Sequence, residues 1–322
     1  TISGDSGHNG DRNVQVFTIS ATGVVTLTNL SVSSGTASAG GGIYNAGTLT
    51  LQALTLQNNV ATDSGSAIYN VGTLAVYTST LVNNQATNNG TLYNNGTLTV
   101  QSSTFANNQD RRGGGLYAES SGTVNVVNST FGGNSAQEGG GIHNRGVLTV
   151  TNSTLANNSG YGSGIHNWTG TLYLRNTLVN GNCLNQGTLA ANVHNFITGG
   201  NCNAAYTGTT YLSSLGSYGG STQTFALLPG SPALDRGDAT LCPVADQRGL
   251  GRYGTCDIGA FESQGFQMVY GSGSGQSIDA GLSFTAPLVM TITANLDSEP
   301  VGPGGNITFA GPSSGASVSP AS

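Results

Sequence analysis

Residues 40–51 read Gly-Gly-Gly-Ile-Tyr-Asn-Ala-Gly-Thr-Leu-Thr-Leu, and much of this chain consists of copies of this stretch. Its Ile-Tyr-Asn core, or a close variant of it, begins at residues 43, 68, 92, 116, 142 and 165. The steps between these copies are 25, 24, 24, 26 and 23 residues. A period of this size is typical of a solenoid, in which each repeat stacks on the one before it.

Each repeat contains three segments in which apolar and polar residues alternate, as they do in β-strands. The first is Ile-Tyr-Asn, the second is Thr-Leu-Thr-Leu after a glycine turn, and the third resembles Leu-Thr-Leu-Gln-Asn-Asn. Three short strands in a coil of about 24 residues predict a parallel β-helix. Because parallel crossovers are nearly always right-handed, we expect an all-β chain with a right-handed parallel β-helix over residues 1–221.

Alternation also assigns the side chains to the inside and the outside of the coil. It places Ile43 and Asn45 inside and Tyr44 outside, and equivalent residues should stack about 4.8 Å apart in columns. An inward amide column, which Ala118 interrupts with a predicted gap or water, contains Asn45, Asn70, Asn94, Asn144 and Asn167. An inward apolar column contains Leu56, Leu81, Phe105, Phe131, Leu155 and Leu178.

A third column should carry rings on the outer surface of the solenoid. Its members are Tyr44, Tyr69, Tyr93, Tyr117, His143 and His166. An exposed ring column is a candidate contact surface for a glycan or another subunit, although such columns also form simply for packing. Two stacked histidines could bind a metal, but the sequence places no third ligand beside them, so we expect neither a metal nor a cofactor.

Composition excludes several classes of function. Only 7% of the 322 residues are charged, none is lysine, and the formal net charge is −6. A chain with so little positive charge is not a candidate for nucleic-acid binding. No apolar stretch is long enough to span a membrane, and no signal peptide is visible. The opening residues 1–4 read like the end of a strand, so we expect that residues once preceded them.

Acidic residues in the repeats do not suggest an active site. Polysaccharide lyases and hydrolases need clustered carboxylates, commonly with a basic residue beside them. Asp63, Asp110, Glu119 and Glu138 lie near predicted turns at spacings that do not stack them together. We therefore expect no catalytic residues and no enzymatic activity.

The four cysteines lie outside the clear repeats and lack the short spacing of a zinc or redox site. Four cysteines allow three pairings, and free buried thiols are a further alternative. We favour the nearest-neighbour bonds Cys183–Cys202, stapling a widened loop, and Cys242–Cys256. Disulfides would indicate an oxidising, extracellular setting.

Residues 222–262 differ from the repeats, because charges interleave with glycine and proline. The charged residues could hold calcium or catalyse a reaction, but we favour a salt-bridged cap over the open end of the solenoid. The cluster predicted for this cap contains Asp235, Arg236, Asp246, Arg248 and Asp257, with Asp238 beside it.

The repeats, together with Ser-Pro-Ala-Leu-Asp at 231–235, Asp-Gln-Arg-Gly at 246–249 and Cys-Asp-Ile-Gly-Ala-Phe-Glu at 256–262, resemble a known family. They are similar to secreted bacterial right-handed parallel β-helix surface proteins with polymorphic outer-membrane-protein-type repeats. This resemblance covers residues 1–262 and implies a secreted or surface location, usually without assigned catalysis.

Residues 263–322 resemble the first half of a bacterial Ig-like domain of the invasin or intimin kind. Residues 267–270, 287–293 and 306–310 alternate as antiparallel strands do. A complete sandwich needs about 100 residues, so we expect a partial domain whose open edges could pair with a neighbouring chain.

These features predict an extracellular structural protein at the bacterial cell surface. Its β-helical rod would serve as a filament subunit, with self-association through the incomplete Ig-like domain, or as an adhesin stalk beside other surface proteins. The alternative is a β-helix that binds or degrades polysaccharides.

Overall fold

The computed structural model describes residues 1–5, 14–276, 279, 282, 285–287 and 289–302. All regular structure in these ranges is β-strand. None of them forms a helix of the length and apolarity that a membrane crossing requires. Strands between residues 2 and 200 form a parallel β-solenoid of about seven turns.

Three sheets run along the solenoid, and each coil contributes one strand to each sheet, except that Leu178–Asn185 runs through both sheet 3 and sheet 1 and joins them. Sheet 1 contains Phe17–Ile19, Ile43–Asn45, Ile68–Asn70, Leu92–Asn94, Leu116–Ala118, Ile142–Asn144 and Ile165–Asn167. Sheet 2 contains Val24–Thr28, Thr48–Gln52, Thr73–Tyr77, Thr97–Gln101, Thr123–Val127, Val147–Thr151, Thr171–Arg175 and Thr188–Val193. Sheet 3 contains Ile2–Ser3, Ser31–Ser33, Thr55–Gln57, Thr80–Val82, Thr104–Ala106, Thr130–Gly132, Thr154–Ala156, Leu178–Asn185 and Phe196–Gly200.

Some coils add a short side strand between sheet 3 and the next strand of sheet 1. The side strands are Thr36–Ala39, Val60–Ser64, Gln85–Ala86, Ser135–Glu138 and Ser159–Tyr161. They pair with their neighbours one coil away, as the main strands do. The three-strand coil predicted from the sequence is therefore confirmed, and some coils have a side strand in addition.

Pairing is in register along the repeats, so equivalent residues stack. Ile68 pairs with Ile43 on one side and with Leu92 on the other. The inward residues of all three sheets form one continuous core in which Leu49, Leu51 and Leu56 are buried. This confirms the inward assignment of the aliphatic positions.

Corners of the coil carry residues with positive φ, which few side chains other than asparagine tolerate well. Residues 24–32 form two strands and not one, because Asn29 turns the chain at φ +53°. The same corner recurs before later strands of sheet 3, at Ala53, Thr78, Ser102, Asn128, Asn152 and Asn176. A second corner follows sheet 3, at Ser34, Asn58, Asn83, Asn107, Gly133 and Asn157.

The coil that follows residue 165 is shortened, and this overturns two predictions. The step from Asn167 to Asn185 is 18 residues, because sheet 3 runs directly into sheet 1 without a side strand. Cys183 occupies the isoleucine position opposite Ile165, so it lies in a contracted coil and not in a widened loop. In the same coil Val179 pairs with Leu155, which displaces Leu178 from the predicted apolar column.

Residues 222–262, the cover segment, lie along the side of the solenoid, so the predicted cap over its end is wrong. The cover segment hydrogen-bonds to the outer side of sheet 3 or to its adjoining corners in four successive coils, through Ser102, Asn128, Thr154 and Asn176. Leu178 packs against it in a second core with Phe196, Ala226, Leu227, Ala233, Ile258 and Phe261. The chain reaches this position through Leu212–Gly216, which pairs antiparallel with Thr224–Leu227.

The last coil is instead covered by the residues that directly follow it. Cys202 and Ala204 pack against the solenoid core, and the main chain of Tyr206 forms an isolated parallel β-bridge with Phe196. The Cys183–Cys202 disulfide ties this segment to the shortened coil.

Beyond the cover segment, Phe266–Ser272 and Val289–Ala294 form an antiparallel pair. These are the first two of the predicted C-terminal strands, and they are compatible with Ig-like material. The third predicted strand, at 306–310, lies outside the described residues.

Candidate functional site

The ring column on sheet 1 is continuous from Tyr44 to His166. Each of the last six strands of sheet 1 contributes its middle residue, so the in-register pairing alone stacks the rings. Neighbouring tyrosine rings are nearly parallel, with centroids 5.4, 4.4 and 5.6 Å apart, and His143 continues the stack 5.1 Å from Tyr117. His166 then turns edge-on to His143, with an interplanar angle of 84°.

Along most of its length the column is buried, so the prediction that it forms an exposed surface is wrong. Tyr44 and Tyr69 are half-buried, whereas Tyr117, His143 and His166 are at most 2% exposed. Before it enters several strands of sheet 1, the chain turns at a glycine that lies close to the base of the ring-bearing side chain. At Gly139, with φ +66°, a Cβ atom would lie 2.8 Å from the Cβ atom of His143. The prediction failed because the outward side chains of sheet 1 face the segment that precedes the strand and not solvent.

Charged side chains converge at the C-terminal end of the column. Arg112 and Glu138 precede equivalent glycines in successive coils, and the Arg112 Nε atom lies 3.3 Å from the Glu138 Oε2 atom. Arg145 donates to the Tyr117 hydroxyl and pairs with Glu119 at 3.1 Å. These two arginine–glutamate pairs were not predicted from the sequence. Aligning the repeats on Gly113 and Gly139 would have shown the Arg112–Glu138 pair.

Glu138 also supplies the third group that the sequence did not place beside the histidines. Its Oε2 atom lies 3.8 Å from the His143 Nδ1 atom and 3.9 Å from the His166 Nδ1 atom. The side strand Ser135–Glu138 ends at this carboxylate, and its pairing with Ser159–Tyr161 sets that end against the column.

A cleft of about 210 Å³ opens beside these groups. Trp168 forms part of its wall and is 45% exposed, with its ring 5.5 Å from the His166 ring. The cleft is lined by Arg112, Tyr117, Glu138, His143, Arg145 and Trp168. It therefore combines an exposed aromatic ring, two guanidinium groups and one carboxylate.

Burial sets the protonation states in the column. It raises the pKa of Tyr93 and of Tyr117, so both phenols stay protonated at neutral pH. Burial lowers the pKa of His143 to about 3, and the neighbouring groups His166, Arg112 and Arg145 act in the same direction. The His143 imidazole is thus neutral at neutral pH and has one ring nitrogen with a free lone pair, which is the form that binds metals or accepts hydrogen bonds.

The predicted amide column has the expected bonding. The Nδ2 atom of Asn45 donates to Asn70 at 2.7 Å, and the pattern continues from Asn70 to Asn94 at 2.6 Å and from Asn144 to Asn167 at 2.7 Å. Ala118 interrupts the column, and Asn94 donates instead to the carbonyls of Gly96 and Thr123. The gap or water expected there stays a prediction.

A second amide column was not recognised in the sequence. It contains Asn59, Asn84, Asn108, Asn134 and Asn158. The Oδ1 atom of each later member accepts from both the main-chain N–H and the Nδ2 atom of the one before. The recurring Asn-Asn pairs were the available signal.

The predicted salt-bridge cluster is only partly correct. Asp246 pairs with Arg248 at 2.7 Å, but Arg236 lies over the Tyr206 ring. Asp257 accepts hydrogen bonds from the main-chain N–H groups of Asp235 and Ser263. The sequence interpretation missed the other ion pairs, Arg248–Glu299 and Arg252–Glu262.

Glu299 was assigned to the Ig-like part, yet it is buried against the cover segment. The structure contains both favoured disulfides, Cys183–Cys202 and Cys242–Cys256.

Comparison with known proteins places these features in a family. No curated protein and no solved structure matches this chain. A family model described as "Right handed beta helix region" matches residues 15–207, which is more than half of the chain. This match agrees with the predicted right hand of the coil and with the parallel solenoid described above. The chain therefore belongs to the right-handed β-helix family.

Proposed function

We propose that this protein is a non-enzymatic structural protein of the bacterial cell surface, whose β-helix acts as a stiff support. The observation that carries this proposal is that the outward side chains of sheets 1 and 3 contact other parts of the same chain. On sheet 1 they pack as a ring column under the chain, and on sheet 3 they hydrogen-bond to the cover segment. Two of the three faces therefore serve internal packing, which stiffens the solenoid.

An extracellular location fits the two disulfides, which persist in oxidising compartments. The resemblance to secreted surface proteins with polymorphic outer-membrane-protein-type repeats points the same way. In this role the β-helix is either the stalk of an adhesin or the subunit of a filament. The Ig-like material at 263–322 supplies the self-association in the filament form, because open strand edges pair with other chains.

Electron microscopy and sedimentation of the purified protein over a range of concentrations distinguish the two forms. Unbranched filaments that lengthen with concentration indicate a filament subunit, whereas a monodisperse particle indicates a stalk. Incubation with acidic and neutral polysaccharides tests the non-enzymatic claim. Repeated turnover that co-purifies with the protein and disappears in a cleft variant contradicts it.

Binding of an acidic polysaccharide is a second candidate function, favoured by the chemistry of the cleft. Trp168 offers an exposed aromatic face, and Arg112 and Arg145 offer guanidinium groups that suit carboxylates. Affinity electrophoresis in polygalacturonate should show retardation that Trp168→Ala removes. Tyr253→Ala is a matched control, because Tyr253 is 65% exposed and lies in the cover segment.

A further inference from the structure

Three side chains at the end of the ring column point their ligand atoms at one another. The candidate atoms of Glu138, His143 and His166 all lie within 4.8 Å of one another. The Glu138 Oε2 atom is nearly equidistant from the two imidazole Nδ1 atoms, at 3.8 and 3.9 Å. These distances are too long for hydrogen bonds. The three groups therefore surround a common point without bonding to each other.

The two Nδ1 atoms are buried and have no hydrogen-bond partner. Their residues are 2% and 0% exposed. An unpartnered polar atom in such a position is unfavourable and needs an explanation. In the two amide columns, by contrast, the buried amides are bonded along the stack. Two such atoms facing one carboxylate point to a missing ligand.

Gln186 fixes the tautomer of His166 in a form suited to metal binding. The His166 Nε2 atom lies 3.1 Å from the Gln186 Oε1 atom, which can only accept a hydrogen bond. Nε2 therefore carries the proton, and Nδ1 presents its bare lone pair to Glu138. Metal-binding histidines are typically oriented by such a bond from the other ring nitrogen.

We propose that Glu138, His143 and His166 bind a divalent transition-metal ion, for which Zn²⁺ is the best-suited choice. Two imidazoles and a carboxylate are ligands that Zn²⁺ prefers, whereas Ca²⁺ and Mg²⁺ prefer oxygen alone. Zinc bonds of about 2.0–2.1 Å place tetrahedral ligand atoms roughly 3.3 Å apart. The Glu138–histidine distances must therefore shorten by about half an ångström, and a pair as far apart as 4.8 Å by about 1.5 Å, so both the carboxylate and the imidazoles must rotate.

Neighbouring charges shape this site. Arg112 pairs with Glu138 and opposes a cation, while the charge of Arg145 is balanced by Glu119. Because His143 and Glu138 also line the cleft, the fourth coordination position opens towards Trp168. The site would have three protein ligands and one coordination position free for water or another ligand, as zinc centres with three protein ligands do.

Calorimetric titration of the untagged, chelator-stripped protein with zinc chloride tests the proposal. We expect one ion per chain, and an affinity that falls at least about 100-fold in His143→Tyr and in His166→Asn. His143→Tyr is the decisive variant, because tyrosine occupies this position in four other coils and should preserve the fold. Circular dichroism checks folding, and Co²⁺ as a spectroscopic probe should give tetrahedral absorption bands only in the wild type.

His194→Asn is a matched control. His194 lies in a later coil, where its Nδ1 atom bonds the Arg236 carbonyl, so this variant should bind Zn²⁺ as the wild type does. Arg112→Gln should bind Zn²⁺ more tightly, since it removes the competing cation. A wild type that does not bind Zn²⁺, or a His143→Tyr variant that binds it equally well, overturns the proposal.

Discussion

At the residue scale, the paired asparagines of each coil have different tasks. In Asn83–Asn84 the first residue is exposed and turns the chain at φ +56°, whereas the second is buried in the amide column. Asparagine suits the first position because it tolerates positive φ, and it suits the second because one amide both donates and accepts. Repeating the pair therefore sets both the corner and the column.

Replacing Asn84 with alanine should destabilise the protein by about 3 kcal/mol. The substitution removes the acceptor of the Asn59 main-chain and side-chain N–H groups and leaves both donors buried. Chemical denaturation measures the loss. Asn83→Gly is the matched control and should change stability by less than about 0.5 kcal/mol, because glycine adopts positive φ freely. Equal losses in the two variants would refute this division of tasks.

Asp110 is a buried acid without a cation. One carboxylate oxygen accepts from the Thr91 hydroxyl at 3.0 Å, and the other has no partner. Burial raises the pKa of Asp110 well above its usual value, although the hydrogen bonds with Thr91 and Ala86 oppose the shift. The carboxyl group is thus protonated in the folded protein at pH values where the unfolded chain has already released its proton.

The pH dependence of stability follows from this difference. Since the folded pKa is the higher one, stability should fall as pH rises above about 4, the unfolded value, until the folded pKa is reached. The slope from one group is at most about 1.4 kcal/mol per pH unit. Asp110→Asn should remove this slope and be more stable than the wild type near pH 8. Denaturation at several pH values measures both slopes, and identical slopes would exclude a role for Asp110.

At the element scale, the cover segment gives sheet 3 a second layer. Gln247 is buried at the centre of this contact, where it bonds the hydroxyl groups of Thr104 and Thr130. Its amide also bonds Thr222 and the carbonyl of Gln223. One side chain therefore links two coils of the solenoid to the cover segment.

Gln247→Ala should loosen the cover segment and cost about 2–4 kcal/mol, because several buried polar groups lose their partner. Hydrogen exchange should accelerate at the Ile258 and Gly259 amides, which bond within the cover segment and to Asn176. Amides of sheet 2 should stay protected. Gln223→Ala is the control, since the Gln223 side chain is exposed. Unchanged exchange in the Gln247 variant would contradict the linking role.

The elements that could be predicted from the sequence are those set by local periodicity. The three strands of each coil, their inward leucines and the Asn45 column follow from alternation and the 24-residue spacing. The position of the cover segment could not be predicted, because it depends on contacts such as Gln247–Thr104 between residues 143 apart.

The candidate site was missed for a related reason. Alternation distinguishes inward from outward residues. It does not reveal which outward residues are buried by another segment of the chain, and His143 is such a residue. Glu138 reaches the histidines only because its side strand folds back on the column. Val179 and not Leu178 continues the apolar column because the corner residues Asn152 and Asn176 lie 24 residues apart, which pairs Thr154 with Leu178.

At the scale of the whole molecule, the solenoid behaves as a stack in which each coil contacts mainly its neighbours. Its stability is therefore roughly a sum of coil and interface terms. The ring and amide columns strengthen each interface along the axis, and the cover segment joins four coils from the side. Both features stiffen the solenoid, which is the basis of the proposed surface role.

Sheet 2 provides the most direct test, because its outward residues, such as Thr48 and Gln52, are exposed. Intact cells of the native host can be labelled with a gold-conjugated antibody fragment raised against this face and imaged by electron microscopy. The account predicts label on the outside of unpermeabilised cells, on stalks or filaments. Label that appears only after permeabilisation would contradict it.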